Sequence, residues 1–288
     1  MPKISVIIPA YNEEKPVRNV IQKIRDVLKN EDYEILVVDD GSTDKTRESA
    51  IEAGARVISH PYNIGNGAAV KTGMRQAAGE IFLLIDADEQ HDPYQIPNLL
   101  KMLEKYDMVV AARTGWGGAP IHRKLANAIY NTFASYLTEK SILDLTSGFR
   151  VIKARVAKKF IYLLPNTFSY PSTITMSLFK TGHSVGYFPV KAHPRTGVSK
   201  ISILKDGARF LVIIMKIATL FSPLRIFLPM SIIFILIGLI HTGYKMFVLS
   251  EGYTGFSTLF ITTGVMIFLM GLIAEQIALL RMERSESA

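Results

Sequence analysis

Two apolar stretches, residues 226–249 and 256–280, are each long enough to cross the hydrocarbon core of a bilayer. No other feature constrains the fold as much, because lipid offers peptide groups no water and a spanning segment must close its hydrogen bonds within a helix. Residues 250–255 join the stretches without a Lys or Arg, so the pair reads as a transmembrane hairpin. Arg209, Lys216 and Arg225 precede it and Arg281 and Arg284 follow it. Cationic flanks stay on the cytosolic side, so both ends of the hairpin are expected there. His241, Lys245 and Glu275 fall near span ends, where polar side chains reach for the interface. Residues 201–222 set Lys205, Arg209 and Lys216 on one helical face and Leu204, Ala208, Leu211, Val212 and Met215 on another, the pattern of a helix lying in the membrane interface.

The chain up to residue 200 reads differently, as a soluble α/β domain. Its charge does not point to nucleic acid: the whole chain carries +8, but the Lys and Arg residues are scattered. A membrane surface or an anionic substrate fits that distribution better. The absence of cysteine excludes disulfides, thiolate metal sites and a cysteine nucleophile. The opening MPKISVIIPAYNEE has too short an apolar run for a signal peptide, so this domain is expected to remain cytosolic. The predicted organisation is a catalytic domain at 1–200, an interface helix at 201–222 and a two-span anchor at 223–288.

Within the first domain, apolar β-rich runs at 4–8, 34–38, 56–59, 81–85 and 107–112 alternate with helical spacing at 16–28, 68–78 and 93–103. That alternation predicts a doubly wound, mainly parallel sheet with helices on both faces. Helices are further expected from Arg123 to about residue 137, from Ala154 and at 171–180, with strands at 151–152 and 184–190. Asn63, Gly65 and Gly67 precede a helix but miss both nucleotide-loop fingerprints, because Val70 stands where each needs a small residue. They read either as a turn whose amides face phosphate or as a purely structural turn. The glycine-rich segment 114–121, with the lone Trp116, reads as a mobile loop between Arg113 and Arg123, two cations able to grip a phosphate from two sides.

The run IFLLIDADEQHD at 81–92 carries the chemistry. A buried strand ends in acids, and ligands of open α/β sheets bind at that end of the strands. Asp86 and Asp88 can converge on one hard cation through oxygen, with Gln90 adding a carbonyl. A loop that merely favours Asp explains Asp92, which caps a helix with Pro93 at its first position, but it does not call for two acids directly after an apolar strand. Asp39 and Asp40, at the end of a second strand, are candidates for base or ribose contacts, and Asp44 can cap the following helix.

Together PAYNEE at 9–14, VVDDGSTD at 37–44, DADEQH at 86–91, SGFR at 147–150 and the later Arg195 and Lys200 resemble the family 2 glycosyltransferases of GT-A fold. Within them the chain looks most like the polyprenyl-phosphate sugar synthases of the dolichyl-phosphate mannose synthase type. That resemblance implies inverting transfer of a hexose from a GDP-mannose or UDP-glucose type donor to a polyprenyl phosphate in the membrane, with Mg or Mn as cofactor. It implies that Pro9, Tyr11, Glu13, Val38, Asp39 and Asp40 hold the nucleoside. Asp86, Asp88 and Gln90 hold the metal, with Ala87 lining the donor site. Arg113, Arg123 and the following Asn127 meet the acceptor phosphate, while Arg195 and Lys200, with Arg113, close on the diphosphate. Asp88, Arg113, Arg123 and Arg195 are thereby the catalytic set. Asn127 stands where the family is expected to carry serine, and Glu89 where it is expected to carry a leucine-like residue. Nothing in the sequence assigns Glu89 a role, and homo-oligomerisation through the hairpin is left open.

Three rival readings remain at this stage. A processive polysaccharide synthase would share the sheet and the acids, but its Q-x-x-R-W element is not matched by the lone tryptophan in TGWG. A membrane-tethered nucleotide-sugar sensor or inactive scaffold would not need two cationic loops. A nucleotidyltransferase would release pyrophosphate.

Overall fold

The computed structural model describes residues 3–114, 121–166, 169–191, 222–250 and 252–286, with isolated positions between 212 and 219; for 121–126 and 281–286 it describes the backbone alone. Segment 115–120 and nearly all of 201–221, where the sequence predicts a loop and an interface helix, lie outside the described residues. The chain divides into two compact units near residues 211 and 212.

The first unit is built on a seven-stranded sheet of order β3-β2-β1-β4-β6-β5-β7. Its strands are β1 (Ile4–Ala10), β2 (Tyr33–Asp39), β3 (Arg56–Ser59), β4 (Ile81–Leu84), β5 (Met108–Thr114), β6 (Arg150–Lys153) and β7 (Val185–Lys191). Its helices are α1 (Glu14–Leu28), α2 (Thr46–Glu52), α3 (Asn66–Gln76), α4 (Ile96–Leu103), α5 (Ile121–Thr138), α6 (Ala154–Phe160) and α7 (Tyr170–Lys180). The strand-helix alternation read from the sequence is present, and the sheet is parallel except for β6, which runs antiparallel to both β4 and β5. The connection from β5 to β6 carries α5 and returns the chain in the opposite direction, so β6 lies between β4 and β5.

Side chains of the central strands alternate between the two faces of the sheet. Ile4, Val6, Ile8 and Ala10 of β1 face α1, whose Val17, Val20, Ile21, Ile24 and Leu28 form one stripe, while Ile7 faces Val70 and Met74 of α3 on the opposite side. Burial of the five α1 side chains contributes on the order of 10 kcal/mol before chain entropy is counted. Buried Ser5 breaks the pattern by accepting from Gly79 N at 2.8 Å and donating to Glu34 at 2.6 Å, so it leaves no unmet polar group.

The second unit contains α8 (Leu224–Phe247) and α9 (Gly255–Glu286), and both are long and apolar enough to cross a membrane. Their apolar side chains point outward, with Ile240, Phe247, Leu259 and Ile273 all more than half exposed, as helices do that meet lipid instead of a protein core. The helices touch through small residues: a Cβ on Gly238 would lie 2.6 Å from Ile261, and one on Gly264 would lie 3.0 Å from the backbone of both Ser231 and Ile235. Polar atoms close the ends of the pair. Glu275 accepts from Leu224 N at 3.1 Å, which caps the start of α8, and His241 shares a 2.9 Å hydrogen bond with Ser257.

Candidate active site

Strands β1, β2, β4 and β5 run in one direction, so Ala10, Asp39, Leu84 and Thr114 end at the same edge of the sheet, and antiparallel β6 begins there at Arg150. β4 stops at Leu84, opposite Ile7 of β1 and one residue past the Leu83–Val6 pair. Pro9, which cannot donate to a ladder, sits beyond that end, on a stretch of β1 where β4 no longer runs. The edge therefore opens between the ends of β1 and β4, directly before Asp86.

The loops after β1 and β2 are stitched together. Asn12, in the left-handed region at φ 55°, takes a 2.9 Å bond from its amide to Ser42 and accepts from Thr43 N at 2.8 Å. Glu13 N donates to Thr46 at 2.8 Å, and Asp44 accepts from Thr46 N and Glu14 N, which joins the starts of α1 and α2. Asp39 spends one oxygen on Ser42 N at 3.0 Å. Asp40 is committed on both oxygens: Oδ1 meets His60 Nδ1 at 2.7 Å and Ile64 N at 3.1 Å, and Oδ2 accepts from Gly65 N at 2.7 Å. The amides of Ile64 and Gly65 thus meet Asp40 and give this turn a structural role, with Gly65 at φ 125°. Val38 and Ala87 have their side chains in the core, at 0% and 2% exposure, which leaves their main chain alone to meet a ligand.

Asp86 is crowded by protein yet keeps 29% of its side-chain surface open. Burial raises its pKa first and the neighbouring charge of Asp88 second, to about 6 despite a hydrogen bond from Asn66 and the positive charges of Arg113 and Arg150. Asp88 turns one oxygen back to Gln90 N at 3.2 Å. His91, at 6% exposure, stacks obliquely on Phe149 and approaches Asp86 to 4.0 Å; burial foremost, then Arg113, holds its pKa down to about 3, so it is a neutral neighbour. Asn66 Oδ1 and His91 Nδ1 are buried without hydrogen-bond partners among the described residues. Gly148 leaves room for the aspartate, since a Cβ there would lie 2.2 Å from Asp86 Oδ2. Asp92 accepts from Tyr94 N at 3.1 Å with Pro93 following, the cap expected from the sequence.

Arg113 leaves the end of β5 in a two-pronged pair with Asp144, Nε to Oδ2 at 2.7 Å and Nη2 to Oδ1 at 2.9 Å, with Thr146 accepting a further bond at 2.5 Å. Burial works against its charge, but Asp144 foremost, with Asp86 and Asp88, raises its pKa. The pair fixes the plane of the guanidinium beside the two aspartates. Arg150, the last residue of SGFR, is fully buried: Nη1 donates to Pro171 O at 3.1 Å and Thr175 at 3.0 Å, and Nη2 donates to Ser147 O. It ties the start of α7 to the strand beside Asp86.

Of the residues expected at the site, Pro9, Tyr11, Glu13, Asp39, Asp86, Asp88, Gln90 and Arg113 gather on this edge. Arg123 and half-buried Asn127 lie in α5, the side chain of Arg123 being outside the described residues, as are Arg195 and Lys200 altogether. Sequence reasoning missed Asn66, Asp144 and Gly148. The SGFR motif was a signal for Gly148, but nothing local links Asp144 to Arg113.

The donor set suits a hard divalent cation: two carboxylates, one held back from ionising by burial and then by the other, and an amide, all on one loop. Among the described residues no three His, Asp or Glu side chains form a complete cage. A site of one or two carboxylates that leaves the remaining positions to substrate phosphate and water is the usual arrangement for magnesium.

Both parts of the chain have known counterparts. Residues 222–280 match the GtrB C-terminal hairpin family. Over 96% of its length the chain is 28% identical to the undecaprenyl-phosphate 4-deoxy-4-formamido-L-arabinose transferase of Photorhabdus laumondii, covering 88% of that protein. It is 35% identical to the dolichol-phosphate mannosyltransferase of Pyrococcus furiosus over 54% of this chain and 47% of the relative. Glucosyl-3-phosphoglycerate synthase of Mycobacterium tuberculosis, crystallised with Mn2+, UDP and glucosyl-3-phosphoglycerate, shares the fold at a TM-score of 0.64 and 21% identity, over 75% of this chain and 80% of that one. With residues 5–161 of its 288 matched to glycosyl transferase family 2, the chain belongs to that family and is a glycosyltransferase of GT-A fold carrying a C-terminal helical hairpin.

Proposed function

We propose that this enzyme transfers a sugar from a nucleotide diphosphate donor to a polyprenyl phosphate in the membrane, with Mg or Mn bound by Asp86, Asp88 and Gln90. One observation carries the reading: a chain whose site combines paired aspartates with an oriented arginine also carries a span-length hairpin of the GtrB type. A soluble acceptor would need no such anchor, and both nearly full-length and partial relatives are named for transfer to a polyprenyl phosphate.

The divalent cation, when bound, supplies charge neutralisation to the leaving diphosphate. The acceptor needs no strong base, because a phosphate monoester is largely dianionic near neutral pH, with a second pKa of about 6. Its oxygen attacks the anomeric carbon as the bond from that carbon to the donor diphosphate breaks, giving inversion. Arg113 stabilises anionic oxygen at the open edge, and Asp144 keeps its guanidinium from turning away. Arg123 and Asn127 on the acceptor side, and Arg195 and Lys200 on the diphosphate side, complete the grip in this reading. Pro9, Tyr11, Glu13 and Asp39 line the nucleoside end, while Asp40 acts through the loop it organises. Domain boundaries near residues 200 and 222, cytosolic termini and a cytosolic catalytic unit belong to the same proposal and rest on the distribution of Lys and Arg.

The test offers purified full-length protein a panel of GDP- and UDP-sugars with a polyprenyl phosphate and Mg or Mn. Formation of one lipid-linked sugar with release of nucleoside diphosphate is expected. Binding of a donor with no product from any pairing would favour the sensor or scaffold instead, and pyrophosphate release from a triphosphate would favour a nucleotidyltransferase.

A further inference from the structure

We infer that Glu89 is a positioning residue that latches the Asp88–Gln90 loop to α1, and that it sets the affinity of the cation site without touching the cation. The inference rests on the proposed metal reading of Asp86, Asp88 and Gln90. Three observations converge on it. Glu89 sits in the left-handed region at φ 58°, a conformation that a side chain with a Cβ adopts at a cost and that persists only where its surroundings hold it. Its neighbours Asp88 and Gln90 close a turn around it through the 3.2 Å bond from Gln90 N to Asp88 Oδ1. Its own carboxylate does not join the acids at the sheet edge: Oε1 accepts from Asn19 Nδ2 and lies 3.6 Å from Lys23 Nζ.

Asn19 and Lys23 are one helical turn apart on α1, so their side chains share a face and meet the same carboxylate. α1 is itself anchored by five buried apolar side chains, which makes it a rigid support for a loop that has none of its own. Without the latch, residue 89 can relax toward the ordinary right-handed or extended regions. Asp88 and Gln90 flank it directly, so that rotation would swing two of the three proposed ligands. A leucine-like residue at this position could not make the same tie. The extra acid therefore serves the loop's shape and is not a third metal carboxylate.

The experiment measures Mn2+ dissociation constants of the full-length protein by electron paramagnetic resonance, without donor or acceptor. Glu89→Ala is expected to weaken Mn2+ binding roughly five- to tenfold, the range expected for releasing one held backbone conformation through a half-exposed tie. Glu89→Gln, which still accepts from Asn19, should recover most of the loss. Asn19→Ala combined with Lys23→Ala should weaken binding as Glu89→Ala does, and adding Glu89→Ala to that pair should cost nothing more. Thermal midpoints should stay close to wild type throughout, because the loop lies outside both cores. Wild-type affinity in Glu89→Ala, or fully additive losses in the triple variant, overturns the latch while leaving the metal site standing. No Mn2+ binding by the wild type overturns the metal assignment and the latch with it.

Discussion

Gly148→Ala tests whether the site's geometry matters at the scale of one methyl group. Gly148 has no left-handed φ, so alanine meets no backbone objection there. The obstacle is space: the new Cβ would stand 2.2 Å from Asp86 Oδ2, 2.9 Å from its Cγ and 3.1 Å from its Oδ1. Against ordinary van der Waals contact the carboxylate must retreat by roughly 1 Å. It has little room to do so, with Asn66 bonded to it, His91 at 4.0 Å and Phe149 stacked behind that imidazole. A displacement of that size at a reacting centre costs about 10²-fold in rate. Overpacking of this kind costs about 1–3 kcal/mol of stability, which leaves the protein folded but lowers its melting temperature by several degrees. Initial rates of sugar transfer at saturating cation and donor, beside Mn2+ titrations and thermal melts on the same preparation, check the expectation. A Gly148→Ala enzyme that turns over and binds Mn2+ within twofold of wild type would refute the view that Asp86 must stay where the glycine lets it stand.

Two further outcomes follow from the electrostatics. Asp144→Ala leaves Arg113 with 17% of its side chain exposed and its bidentate partner gone; loss of about 3 kcal/mol is expected in urea titrations, the low end for a broken buried pair, and an unchanged midpoint would contradict the pairing. Asp86, pushed up to about 6 by burial and Asp88, binds its proton more tightly in the folded than in the unfolded chain. Its contribution to stability is therefore fully present below about pH 4 and is lost as pH rises through about 6. Chelator-treated wild type should lose stability relative to Asp86→Asn across that window, and Mn2+ affinity should fall as pH drops below 6. The same pH slope in both proteins would show that Asp86 is not the titrating group.

Local pattern determined much of this protein. The apolar runs at 226–249 and 256–280 announce α8 and α9 because lipid demands length and uninterrupted hydrophobicity, which are properties of a segment alone. Strand and helix alternation, the acids after β4 and the Asp92 cap were legible for the same reason: each depends on residues adjacent in the chain or one turn apart. The tertiary structure alone decided what depends on distant partners. β6 is too short to reveal its direction, which is set by the two strands it must pair with. Asp40 has both oxygens met by Ile64, Gly65 and His60, partners 20 to 25 positions away that no local pattern reveals. Asp144 became the partner of Arg113 across 31 positions, and Glu89 found Asn19 and Lys23 across the sheet edge. A buried or strained charge must be met by whatever the fold delivers to it, and that delivery is written in no single stretch of sequence.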